Sequence, residues 1–222
     1  PTVVPNNGEM ITEAVRGNGA ILVNQDGKRF INELQTRDVV SAAELKQPGK
    51  VGYLVFDTAT RKSLKAIETY IKKGLVTEGT TLDELADKLK INAANLKATM
   101  EQYAKFQADK KDAEFGRADM PRPLTEGPWF AVQVTPAVHH TMGGLRINTE
   151  AQVLDKKGNV IPGLFAAGEV TGGVHGANRL GGNAMADIVT FGRIAGRNAA
   201  EQPTGVIVPR GQKPEDAEKA AV

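Results

Sequence analysis

Apolar positions fall into two textures along the chain. Over residues 10–119, short apolar runs alternate with charged amphipathic segments. Runs at 19–24 and 29–34 flank Asp26-Gly27, which predicts a β-hairpin whose type I′ turn has positive φ at both central residues. The run 51–56 predicts a buried strand, after which Asp57 caps a helix extending through Lys73 to Gly74. Thr81 and Glu84 form a capping box at the head of a short helix. Leu96, Met100, Tyr103 and Gln107 recur at helical spacing and predict a helix over 93–108.

Pro121, Pro123 and Pro128 then mark a linker-like stretch. From Trp129 onward glycine and small residues dominate. Residues 160–169 read as a turn and a buried strand, 171–183 as a glycine-rich loop, and 184–200 as a helix. On that helix Gly192 and Gly196 lie four apart, which predicts close backbone approach by a neighbour. The polar tail after Pro203 is expected to fray.

Composition narrows the function classes. Of 222 residues, 41% are hydrophobic and 24% charged, which is ordinary globular usage rather than disorder. A net charge of +2 supplies no global field for nucleic acid or an acidic membrane surface. With no cysteine, the chain has no disulfide, no thiolate metal site and no covalent attachment for c-type haem. The absence of an apolar run of about 18 residues argues against membrane insertion. Adjacent His139 and His140 have no carboxylate at ligand spacing, so no metal is expected there. The start at Pro1, without a signal-like region, leads us to expect a processed chain or an excised fragment.

The densest chemical signal is GLFAAGEVTGGVHGANRLGGNAMADIVTFGRIAG, residues 163–196. A strand ending near Glu169, a glycine-rich loop and a helix start allow backbone to reach a planar or phosphorylated ligand. The helix N-terminus adds free amides and a positive dipole end, and Glu169 suits a ribose or ribityl hydroxyl. The alternative is a glycine-rich turn with no ligand. Elsewhere, Arg37 beside Asp38 reads on its own as a surface ion pair. His175 reads as a turn cap, and the basic residues of 61–73 as a solvated helix face.

Residues 163–196 resemble the C-terminal flavin-binding segment of the fumarate reductase and succinate dehydrogenase flavoprotein family, with greatest similarity to soluble flavocytochrome c fumarate reductases. Three further blocks agree in order: MITEAVRGNGAILVNQDGKRFINE from Met10, Thr36-Arg37-Asp38, and His139-His140-Thr141-Met142-Gly143-Gly144. The resemblance covers residues 1–200 and implies an α+β chain. A mixed clamp (capping) domain over 1–121 would precede the C-terminal portion of an α/β FAD-binding domain over 122–202, with a polar tail over 203–222.

The resemblance also implies roles. Arg37 matches the family's active-site acid, and Arg16 and Glu13 the relay that resupplies its proton. Thr12, His139 and Arg179 match carboxylate-binding groups, Met10 lies beside the reacting double bond, and Glu13 belongs to the same substrate region. His140, Glu169, Ala184 and Met185 match FAD contacts. The implied reaction is reduction of fumarate to succinate in the periplasm. An electron-donating cytochrome, or haem c on a domain outside this chain, would supply the electrons. A dianionic substrate suits arginine, which binds carboxylates bidentately. An arginine acid must also be reprotonated quickly, which is a physical reason for a neighbouring carboxylate such as Glu13.

The pattern departs from the family in what it lacks. The G-x-G-x-x-G turn that holds the pyrophosphate is absent, and Gly17 and Gly19 have Leu22 where a third glycine would stand. The family's further substrate histidine would precede Pro1. Two alternatives follow: a urocanate or other enoate reductase of the same fold, or a non-catalytic fragment that complements another polypeptide carrying the missing FAD segment. A sheet lacking its central strands would expose apolar edges.

Overall fold

The computed structural model describes residues 2–202, so the tail expected to fray from 203 onward lies outside the described residues. The chain divides into two compact units, one ending at His139 and the other starting at His140.

The first unit begins with β1 (Thr2–Val3), β2 (Met10–Ile11), α1 (Ala14–Gly17), β3 (Ile21–Val23) and α2 (Arg37–Glu44). It continues through β4 (Gly52–Asp57), α3 (Thr58–Ser63), α4 (Lys65–Lys72), β5 (Thr77–Gly79), α5 (Leu82–Leu89), α6 (Ala93–Ala108) and β6 (Trp129–Pro136). Its sheet is antiparallel and runs β2-β1-β6-β4-β3, with β5 also on β6. β6 pairs with β4 along one edge, while β5 and β1 share the other end to end. Period-two alternation then sends side chains of one strand to two cores. Tyr53 and Val55 pack with Leu85, Leu96, Met100 and Tyr103 from α5 and α6. Leu54 and Phe56 pack on the opposite face with Val15, Val40, Ile67 and Tyr70 from α1, α2 and α4. The architecture is α+β.

Local chemistry explains most of these boundaries. The Asp57 carboxylate accepts from the Thr60 amide at 2.9 Å, and the Thr81 hydroxyl from the Glu84 amide at 3.2 Å. The helix expected to run unbroken to Lys73 instead breaks at Leu64 (φ −139°, ψ 107°), where the Ser63 hydroxyl donates to the Thr60 carbonyl and Leu64 joins the core. The predicted hairpin is also replaced. Positive φ occurs at Gly27 but not Asp26, and 29–34 contributes a single bridge, Val23 to Arg29.

The hairpin gives way to a buried ion network. Glu33 Oε1 accepts from the Leu22 amide of β3 and from Arg29 Nε, while Oε2 accepts from Arg29 Nη2 and Arg117 Nη1. Asp112 accepts a further bond from Arg29 Nη2 at 2.9 Å. Burial works against the Arg29 charge, yet hydrogen bonds and charge from Glu33 and Asp112 raise its pKa above the ordinary value. Arg117 also donates to the carbonyls of Ala20 and Arg16, tying the network to α1. Glu33→Gln keeps the shape but leaves two buried guanidiniums facing one carboxylate. Breaking such a group costs about 3–5 kcal/mol. Urea unfolding should therefore show a markedly lower midpoint at an unchanged slope; an unchanged midpoint would show that the network contributes little.

β6 corrects the sequence-based grouping. Glycine-rich composition groups Trp129–Pro136 with the second texture, yet the strand pairs at the heart of the first unit's sheet. Its partners are distant in sequence, which no local pattern encodes.

The second unit carries β7 (Leu145–Arg146), β8 (Gln152–Leu154), β9 (Val160–Phe165), β10 (Thr171–Gly172) and α7 (Asn183–Ala200). β8 and β9 form an antiparallel pair, and β10 lies parallel to β7. β9 was expected to be buried, but Val160, Ile161 and Leu164 are exposed in this two-stranded arrangement. α7 buries Asp187 and exposes Met185, Ile188 and Val189. No described atom lies within 4 Å of a Cβ placed at Gly192 or Gly196, so neither glycine serves a close approach among the described residues. No described helix is long and apolar enough to cross a membrane.

Candidate active site

β2 delivers Met10 to the surface and runs directly into the turn that opens α1. The Thr12 amide donates to the Tyr70 hydroxyl at 3.1 Å, and the Thr12 hydroxyl accepts from the Ala14 amide at 3.3 Å. That bond uses a lone pair of the hydroxyl and leaves its proton available to an anion. Glu13 and Arg16 follow one helical turn apart. Arg37 opens α2, and its Nε donates to Glu13 Oε1 at 2.7 Å. Arg37, which reads in sequence as a surface partner of Asp38, forms this longer-range pair with Glu13.

The electrostatics of the group are unusual. Burial alone would push the Glu13 carboxyl up, but the Arg37 hydrogen bond and the charges of Arg37 and Arg16 hold it below its ordinary value. Arg16 is 3% exposed. Its burial lowers the guanidinium pKa against the opposing pull of Glu13, Glu44 and Glu33. Sequence reasoning missed Glu44, which is wholly buried on α2. It also missed Arg117 and Tyr70, which fix the Arg16 carbonyl and the Thr12 amide. The one available signal was Glu44 lying two turns after Arg37 on a helix whose buried face includes Val40.

In the second unit, His140 takes a positive φ of 72°. Its Nδ1 lies 3.6 Å from Glu169 Oε2, and Thr141 Oγ1 donates to the Glu169 carbonyl at 3.0 Å. Glu169 sits in a short 3-10 turn, Gly168–Val170, rather than at the strand end expected. The His140 ring meets His175 edge-on at 5.2 Å, and His175 Nε2 is 3.0 Å from the buried carboxylate of Asp187 on α7. His175 is thus anchored to a helix and does more than cap a turn. The Arg179 amide donates to Met142 Sδ at 3.2 Å, and its buried guanidinium donates from Nη1 to the Leu180 carbonyl.

Ala184 and exposed Met185 stand in the first turn of α7, which opens at Gly182 (φ 84°) without a side-chain cap. His139 ends the first unit and is exposed. The structure therefore gathers Thr12, Glu13, Arg16 and Arg37 in one unit, and His140 and Glu169 in the other.

The second unit carries a glycine-lined cleft, and none of His140, Glu169, Ala184 and Met185 is among its lining residues. The cleft, of about 700 Å³, is lined by Gly143, Gly144, Arg146, Asn148, Gly172 and Gly173, within the volume range of cofactor sites. A Cβ on Gly144 would collide with the Val170 carbonyl, so this backbone approach requires glycine. Uncapped α7 amides favour anionic groups, and the half-exposed Glu169 carboxylate is a hydroxyl acceptor.

Residues 1–185 match the model of the FAD binding domain family. The chain is 54% identical over 201 residues to a fumarate reductase (cytochrome) of Shewanella frigidimarina, covering 90% of this chain and 35% of that protein. It is 40% identical to a urocanate reductase of Eggerthella lenta, covering 82% of this chain and 31% of that protein. The solved open conformation of a flavocytochrome c3 fumarate reductase superposes with a TM-score of 0.71 at 52% identity, over 90% of this chain and 36% of that one. This chain spans about a third of the length of these relatives. The match over residues 1–185 runs through the first unit and into the second, over more than half of the chain: the chain belongs to the FAD binding domain family.

Proposed function

We propose that this chain supplies the proton donor, its relay and part of the substrate and flavin contacts of an enzyme that reduces fumarate to succinate. The observation that carries the reading is the 2.7 Å Arg37–Glu13 pair with buried Arg16 on the same turn. When bound and reduced, FAD would supply the hydride for one alkene carbon. Arg37 gives a proton to the other carbon, and Glu13 with Arg16 returns one to Arg37. Thr12, His139 and Arg179 bind the two carboxylates and stabilise charge that grows as the double bond is reduced. Met10 presents an apolar thioether beside that bond. His140, Glu169, Ala184 and Met185 hold the flavin, so that the first unit, up to His139, acts as the clamp and the second, from His140, as returning FAD-domain sequence.

The remaining FAD contacts, and a c-type haem or separate cytochrome as electron donor, lie on sequence outside this chain in a periplasmic protein. A second reading, reduction of urocanate, draws on the Eggerthella relative and keeps the same acid. Oxidation of a reduced dye by the complete flavoprotein decides between them. Fumarate is expected to give turnover and urocanate little, and succinate rather than imidazole propionate should perturb the flavin spectrum. Turnover with urocanate alone would overturn the fumarate assignment, while turnover with neither would leave the complementing-fragment reading.

A further inference from the structure

Arg37 and Glu44 lie on one helix, α2, whose buried residues are Val40 and Glu44. Facing them is the α1 turn with Glu13 and Arg16. Arg37 is joined to Glu13 by the 2.7 Å hydrogen bond, and Arg16 and Glu44 feel each other's charge. The side chains thus form a line of alternating sign, Arg37–Glu13–Arg16–Glu44, running from a partly exposed guanidinium to a carboxyl that is 0% exposed. At the inner end, Arg16 Nη1 and both Glu44 oxygens are buried with no hydrogen-bond partner among the described residues. Buried polar atoms are rarely left so; no direct hydrogen bond joins Arg16 to Glu44 among the described residues, and an unpartnered buried donor and acceptor that feel each other's charge are the setting in which one water bridges them.

We propose that Glu44 is the proton-holding residue at the inner end of this line, a neutral acid that resupplies Arg16 through a bridging water. The inference rests on the proposed enoate reduction. When Arg37 gives its proton to the substrate carbon, an N–H bond breaks and a C–H bond forms. A proton then moves from Arg16 through Glu13 to Arg37, and the Glu44 O–H proton replaces the one that Arg16 lost. Glu44 is left as a carboxylate until a solvent proton restores it, so each substrate reduced draws one proton through this line.

The protonation state has an electrostatic basis. Burial pushes the Glu44 carboxyl up to about 7, against the opposing charges of Arg16 and the amino terminus. The charges that act on Glu44 are Arg16 and the chain's amino terminus; Glu13 and Glu33 act on Arg16 in turn, Arg37 stands on the same helix as Glu44, and β6, which also packs on α2, contributes no titratable side chain. Above the ordinary carboxyl range and up to about pH 7, folded Glu44 keeps a proton that the unfolded chain has released. Stability therefore falls as pH rises through that window and levels off above it.

Glu44→Gln, which keeps shape and donor capacity, tests the assignment in the complete flavoenzyme at full flavin occupancy. We expect kcat to fall on the order of ten- to a hundredfold with KM unchanged. The solvent isotope effect should rise, and the break near neutral pH should vanish from both the kcat profile and the stability profile. Glu44→Asp, retaining an acid, should recover part of kcat and restore a break. A role confined to filling the core would move stability and leave the kcat profile and isotope effect as in wild type. That result, with an active wild type, overturns the relay assignment alone. A wild type with no enoate reduction overturns the functional reading and the relay assignment together.

Discussion

Arg37→Ala in the complete flavoenzyme is expected to reduce fumarate turnover by about 100- to 10,000-fold, the contribution typical of a positioned general acid, with FAD retained. The expectation follows from where Arg37 stands. It opens α2 in the first unit and is held by Glu13 at 2.7 Å, whereas the proposed flavin contacts His140, Glu169, Ala184 and Met185 belong to the second unit. Truncation removes the donor, and it also releases Glu13 from the hydrogen bond that keeps its carboxyl below the ordinary range. Glu13 should then titrate at a higher pH than in wild type.

Arg37→Lys separates charge from geometry. An ammonium keeps the positive charge near Glu13 but loses the planar fork and some reach. Recovery of less than about a tenth of wild-type kcat is expected, since acid catalysis depends on hydrogen-bond distance to the reacting atom. A lysine variant at near-normal kcat would show that any cation suffices there, and would remove Arg37 from the role of positioned acid.

Local chemistry made some elements readable and left others hidden. α6 and α7 emerged with nearly their observed limits because each combines helical periodicity with clear boundary residues. β4, short and apolar throughout, was equally legible. The hairpin after β3 was not, because Glu33 reaches back to the Leu22 amide and takes the place of a strand. That replacement depends on Arg117, which is remote in sequence. β6 was misgrouped for the same reason, as its partners β1, β4 and β5 are all distant.

The candidate site divides likewise. Glu13, Arg16 and Arg37 all came through the resemblance. Their physical pairing became visible only in the fold. Glu44 carries no motif, and its interest comes from complete burial beside Arg16. Asp187 similarly looked like an ordinary helical residue until the structure set it against His175.

Arg179→Met should lower fumarate kcat/KM roughly ten- to a hundredfold, the equivalent of about 1.5–3 kcal/mol for hydrogen bonds to a charged group. The glycine-rich loop sets Arg179 between His175, which is anchored to α7 through Asp187, and the start of α7 itself. Its amide is pinned to Met142, so the loop cannot swing freely from the segment that carries His140. A guanidinium 5% exposed loses little entropy when it clamps a carboxylate. If Arg179 binds ground state and transition state equally, KM alone should rise. If it also stabilises charge that grows as the double bond is reduced, kcat should fall as well, and this second pattern is the one expected. A purely structural arginine would act differently, lowering stability and flavin retention while the remaining holoenzyme kept a normal KM. Measuring kcat, KM and flavin occupancy on one preparation distinguishes these cases, and unchanged kinetics at full occupancy would remove Arg179 from the substrate site.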